Sequence, residues 1–155
     1  MGIPPKVSFF VWAAALNRIL TIDNLIKRQW ILVNRCCLCC ADAESVDHLL
    51  LHCSVASQLW ALVFSIFGVT WVQPSLVSSA LWSWQGGRVG RRRRKVWFFA
   101  PHCLMWILWL ERNRRTFQDS AVSIIRLKSW FLSILLSWVS SRVEPDLSFF
   151  LDFFG

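Results

Sequence analysis

Five of the six cysteines and two of the three histidines fall within eighteen residues. They lie in Cys36-Cys37-Leu38-Cys39-Cys40 and in Glu44-Ser45-Val46-Asp47-His48-Leu49-Leu50-Leu51-His52-Cys53. Thiolate sulfur and imidazole nitrogen are the donors Zn2+ prefers, and a structural site places four of them on one tetrahedron. The two-residue gap of Cys36-x2-Cys39 lets a tight turn offer two sulfurs to one ion. His48-x4-Cys53 can close such a site from a short helix. Three other chemistries compete for these thiols. Disulfides need an oxidising compartment, and no secretory signal is legible in the sequence. A redox Cys-x2-Cys belongs at a strand-to-helix junction, which the pattern lacks. Inert buried thiols need only an apolar neighbourhood. A metal site explains the clustering best.

The residues alone leave two registers open. One is Cys36, Cys39, His48 and Cys53. The other is Cys37, Cys40, His48 and His52. On an α-helix His48 and His52 share a face, which favours the second set. His48 and Cys53 would point about 140° apart on a continuous α-helix. The first set therefore requires the helix to end near His52, and Ser54 offers an N-cap for a new one.

The elements that must carry these residues read as helices, and no sustained strand alternation or internal repeat is visible. Val7 to Ile19 is apolar on nearly all sides and is expected to be buried. Thr21 can cap a short helix reaching Arg28. Ala56, Leu59, Trp60, Val63 and Phe67 recur at helical spacing within Ser54 to Phe67, with Gly68 as its terminator. Pro74 can start a helix reaching Trp84. Gln85 to Gly90 reads as a flexible linker. Val96 to Phe117 is expected as one long helix that Pro101 kinks or delimits. Asp119 or Ser120 can cap a last helix to about Ser141, ended by Glu144-Pro145-Asp146. The fold class is all-α, a small helical domain organised around a zinc knuckle. Its expected divisions are 1–85, a basic linker 86–95, a helical continuation 96–141 and a tail 142–155.

From residue 1 to about residue 117 the chain resembles the plant reverse transcriptase zinc-binding domain, which follows the polymerase in non-LTR retrotransposons. The resemblance rests on Pro4-Pro5-Lys6-Val7-Ser8-Phe9-Phe10-Val11-Trp12 and Ile19-Leu20-Thr21-Ile22-Asp23-Asn24-Leu25. It continues through the two Cys/His segments, Ala56-Ser57-Gln58-Leu59-Trp60 and Trp109-Leu110-Glu111-Arg112-Asn113-Arg114-Arg115-Thr116-Phe117. The resemblance implies Cys36, Cys39, His48 and Cys53 as the metal set, leaving Cys37, Cys40 and His52 spare. It also implies a stand-alone fragment of a retroelement polyprotein. Polymerase and ribonuclease H neighbours are then possible partner chains.

Catalytic machinery is not legible. The chain has no tyrosine, and its nine acidic residues are scattered without a pair suited to two metal ions. The six glycines form no phosphate-cradling loop, and no serine sits in a nucleophile motif. No enzymatic activity is expected.

Composition points instead to binding. Eleven of the seventeen basic residues lie between 86 and 130, and the chain carries a net charge of +8. Arg88, Arg91, Arg92, Arg93, Arg94 and Lys95 form a run that can neutralise phosphates without reading bases. RNA or DNA is the expected partner, and the same run reads as a nuclear localisation signal. Arg112, Arg114 and Arg115 end the long helix, where the dipole favours cations. Trp82, Trp84 and Trp97 flank the basic run and are candidates for stacking on bases. Trp12, Trp60, Trp106, Trp109 and Trp130 lie on apolar faces and are expected in the core. His102 and Cys103 receive no role. Hydrophobic residues make up 55% of the chain, which is high enough to expect a partner surface. The alternative function is therefore a zinc-stabilised protein-interaction module or a non-functional remnant. The longest apolar run, 96–110, falls short of a membrane span and is interrupted by Pro101 and His102.

Overall fold

A computed structural model of the chain describes residues 2–140. Six α-helices and one π-turn follow in order: α1 Pro5–Ala15, α2 Ile22–Lys27, the π-turn His48–His52, α3 Ser54–Phe67, α4 Val77–Gln85, α5 Arg94–Phe117 and α6 Ile124–Val139. No strand occurs among the described residues. The expected all-α class holds. The expected end of the last helix near Ser141, its breaker and the apolar tail lie outside the described residues.

The long helix α5 is the axis of the fold. Ala100, Cys103, Leu104, Ile107 and Leu108 are buried on it, and α1, α3, α4, α6 and the π-turn all rest against it. Pro101 sits inside this helix without ending it. A proline has no N–H, so the carbonyl four residues earlier loses its helical partner. That carbonyl belongs to Trp97, and the indole N–H of Trp84 donates to it at 2.7 Å. Trp97 returns the bond, its Nε1 donating to the Trp84 carbonyl at 2.9 Å. The two indoles stack with centroids 3.9 Å apart. The defect introduced by Pro101 thus becomes the joint between α4 and α5.

This joint changes the reading of three features. Trp84 and Trp97 are buried and cannot stack on bases. Gly87, expected in a flexible linker, is tightly packed: a Cβ there would lie 2.3 Å from the Trp97 ring. Arg94 and Lys95 already belong to the first turn of α5.

Other local expectations shift for identifiable reasons. The first helix buries only Val7, Phe10, Val11 and Ala14, while Phe9 and Trp12 face outward, Trp12 with 57% exposure. Its apolar content exceeds what the two helices packed on it, α4 and α5, cover. Cys53, not Ser54, occupies the N-cap of α3, and Gly68 ends that helix at φ 61°. Leu76, not Pro74, precedes α4, whose first N–H is met by a side chain from the metal-site segment. Ser123 caps α6 by accepting from the Arg126 N–H, while Asp119 takes a left-handed turn conformation. No described helix is long and apolar enough to cross a membrane.

Candidate metal centre

Two short backbone devices form the centre. In the first, the Cys36 N–H donates to the Asp42 carbonyl at 2.7 Å and the Cys40 N–H donates to the Cys36 carbonyl at 2.9 Å. Cys40 takes φ 54° to close this turn. In the second, the Cys53 N–H donates to the His48 carbonyl at 2.6 Å. That bond spans five residues and defines the π-turn. Widening the turn brings His48 and Cys53 to the same side, whereas α-geometry would separate them. It also buries Leu49, Leu50 and Leu51 together. The Trp60 indole N–H clamps the turn onto α3 by donating to the Leu50 carbonyl at 2.8 Å.

The structure brings together Cys36, Cys39, His48 and Cys53, with their donor atoms all within 4.8 Å of one another. Cys36 and Cys53 are buried, whereas Cys39 and His48 are half-buried. The Sγ atoms of Cys36 and Cys53 are 3.8 Å apart, and Cys39 Sγ lies 3.3 Å from His48 Nε2. Tetrahedral zinc with bonds of about 2.3 Å to sulfur and about 2.0 Å to nitrogen sets edges of roughly 3.8 and 3.5 Å. These two edges fit such an ion, and the other donor separations stay within 4.8 Å. All six cysteines are free thiols.

The electrostatics of this pair are asymmetric. The Cys36 thiol is pushed well above its ordinary value, first by its hydrogen bond with Cys53 and then by burial. The Cys53 thiol is held below its ordinary value, first by Cys36 and, against opposing burial, by the N–H groups of Val55 and Ala56. Those two amides belong to the N-terminus of α3, where the exposed backbone donors favour a thiolate.

The shifted register is not assembled. Cys37 Sγ lies 3.3 Å from the Thr116 hydroxyl, and burial is the leading cause that raises its thiol. Cys40 is exposed, and His52 Nε2 contacts the Ser75 carbonyl at 3.1 Å.

The centre is braced by acidic residues that sequence reasoning assigned no role. Glu44 is fully buried. Its Oε1 accepts from Arg112 Nη2 at 2.9 Å, Arg112 Nε at 3.2 Å and the Ile22 N–H at 3.0 Å. Its Oε2 accepts from the Cys37 N–H at 3.2 Å. One carboxylate thus caps α2, holds the Cys36–Cys40 turn and neutralises a buried guanidinium of α5. It takes the capping role expected of Thr21, whose hydroxyl instead donates to Asp23. Asp47 Oδ1 accepts from the Val77 N–H at 2.9 Å and so starts α4. Arg115 donates to the Leu38 carbonyl at 2.8 Å and to Glu111 at 2.9 Å. The cations Arg112, Arg114 and Arg115 therefore serve inside the fold. Their clustering near a helix end was the only sequence signal for this role, and it did not name their partners.

The basic run has the opposite character. Arg88, Arg91, Arg92, Arg93, Arg94 and Lys95 are all exposed. None joins an ion pair among the described residues. Lys95 Nζ donates to the Val139 carbonyl at 3.2 Å.

Over residues 1–60 the chain matches the protein family described as zinc-binding in reverse transcriptase. The matched segment contains the four assembled donors together with Glu44 and Asp47, and it stops inside α3. No curated protein and no solved structure matches the chain.

Proposed function

We propose that this chain is a zinc-binding module derived from a non-LTR retrotransposon reverse transcriptase. In this reading Cys36, Cys39, His48 and Cys53 hold one structural Zn2+, and the exposed cations from Arg88 to Lys95 contact RNA or DNA without base specificity. The module has no polymerase activity of its own and acts in the nucleus. The carrying observation is the four-donor cluster, two of whose edges match tetrahedral zinc. Zinc there would cross-link the Cys36–Cys40 turn to the start of α3, a small-core segment that gains folding energy from the metal.

The nucleic-acid contact is supported by where the cations sit. Arg93 is the N-cap of the 24-residue α5, Arg94 and Lys95 open it, and no acidic residue occupies its first turn. A helix N-terminus already carries partial positive charge, so cations placed there add to the field instead of relieving it. Their mutual repulsion is lowered when phosphates bind and counterions are released.

A second reading, a protein-interaction module for polymerase or ribonuclease H neighbours, is favoured by one feature. An apolar groove of about 430 Å3 opens between α2, the segment 30–33 and the end of α5. Trp30, Val33 and Phe117 line it and remain exposed, and adjacent Ile31 is 99% exposed.

Metal content and salt-dependent binding separate these readings. One zinc per chain, lost in Cys36→Ser and kept in Cys37→Ser, is the expected result; loss only in Cys37→Ser would refute the ligand set. Replacing Arg91 to Arg94 with Gln should abolish binding to a labelled oligonucleotide and flatten its salt dependence. A wild-type chain that binds no oligonucleotide at low salt would remove the nucleic-acid reading and leave the interaction module.

A further inference from the structure

We infer that Trp82 is a base-stacking platform and that the nucleic acid taken by this chain is single-stranded; this rests on the nucleic-acid reading proposed above. Helix α4 buries Val77, Ala80 and Trp84 on one face. At 100° per residue, Trp82 projects about 170° from the centre of that face. It is 79% exposed, the highest exposure of any described tryptophan.

Its surroundings separate it from the other exposed aromatics. Ser78, Ser79, Ser83 and Gln85 are the other exposed residues of α4. On α4 itself the indole is therefore the one large apolar group of the exposed face, among small and polar side chains. A protein-docking face needs a contiguous apolar patch, as the groove near Trp30 provides and this face does not.

Charge follows Trp82 closely along the chain. The reciprocal Trp84–Trp97 hydrogen bonds lock the end of α4 against the first turns of α5. Only eight residues, 86–93, join the two helices, and they include Arg88, Arg91, Arg92 and Arg93. An exposed indole a few residues from a group of arginines supplies the two parts that bind unpaired strands. The cations take the phosphates, and the ring takes a base face that a duplex hides inside its own stack. Small neighbours leave room for a base to lie flat on the ring.

The test uses the zinc-loaded full chain with fluorescein-labelled single-stranded dT15 and a labelled 15-base-pair duplex. Trp82→Ala should weaken dT15 binding about tenfold and leave the duplex within about twofold. Trp82→Phe, which keeps a ring, should retain most of the affinity. The salt slope should not change in either variant, because no phosphate contact is removed. Equal dT15 binding by wild type and Trp82→Ala would overturn the inference while leaving the basic run as the binding site. Equal losses for dT15 and duplex would also overturn it, showing that Trp82 only shapes the α4–α5 corner. Binding of neither probe by the wild type would overturn both this inference and the nucleic-acid reading beneath it.

Discussion

Replacing Arg112 with Met should loosen the metal centre from a distance. The side chain of Arg112 is 4% exposed and that of Glu44 is 0% exposed. Met keeps much of the aliphatic volume and removes only the guanidinium. Glu44 is then left as a buried carboxylate holding two backbone donors, Ile22 and Cys37. Breaking one side of a buried pair costs about 3–5 kcal/mol, because the remaining charge is uncompensated. At 2–4 °C per kcal/mol for a domain of this size, the melting midpoint should fall by about 10 °C. The carboxylate also holds the N–H of Cys37, beside the proposed ligand Cys36. Support of this kind around metal ligands is worth about 10- to 100-fold in affinity, so zinc should pass to a chelator at correspondingly lower chelator concentration. Glu44→Gln combined with Arg112→Met removes the buried charge and should recover at least about 2 kcal/mol relative to Arg112→Met alone. The assays are thermal unfolding of the zinc-loaded chain and a zinc competition titration. An Arg112→Met midpoint within about 1 °C of wild type would refute the reasoning, as would strictly additive losses in the double variant.

Two further outcomes follow from the aromatic joint and the core. Gly87→Ala drives a methyl group into the Trp97 ring and should cost about 1–3 kcal/mol by overpacking, accompanied by a change in the near-ultraviolet circular dichroism of the Trp84–Trp97 stack; an unaltered spectrum and midpoint would show that the loop relaxes freely. Burial holds the His102 imidazole below its ordinary value of 6.5, with the Phe98 carbonyl opposing. The unfolded chain then takes up that proton first, so stability is complete above pH 6.5 and declines as pH falls through it. The stability difference between wild type and His102→Asn should therefore vary between pH 7.5 and 5.5, and a constant difference would contradict this assignment.

Much of the site was legible because its chemistry is local. Cys36 and Cys39 are separated by two residues in a turn, and that spacing places both sulfurs whatever the rest of the chain does. Helical periodicity in 54–67, with Gly68 as its stop, likewise needs no distant partner. The caps were misplaced for the opposite reason. Helices α2 and α4 find the acceptors for their first N–H groups in Glu44 and Asp47, which are distant in sequence, so no local window contains the pair. The π-turn was also illegible, since it depends on three leucines being buried together and on Trp60 holding the Leu50 carbonyl.

By itself, the sequence determined the donor types, their spacing, the helical class and the position of the basic run. These follow from residue identity and from contacts a few residues apart. Only the tertiary structure brought Cys36, Cys39, His48 and Cys53 together and left Cys37, Cys40 and His52 apart from them, because that grouping depends on how the chain turns at Cys53. Only it separated the arginines, burying Arg112 and Arg114, half-burying Arg115 and leaving the cations from Arg88 to Lys95 in solvent. It also divided the tryptophans, burying Trp84 and Trp97 while exposing Trp82 and Trp12. Charge and aromaticity are properties of a residue, but burial is a property of its neighbours, and those neighbours arrive from across the chain.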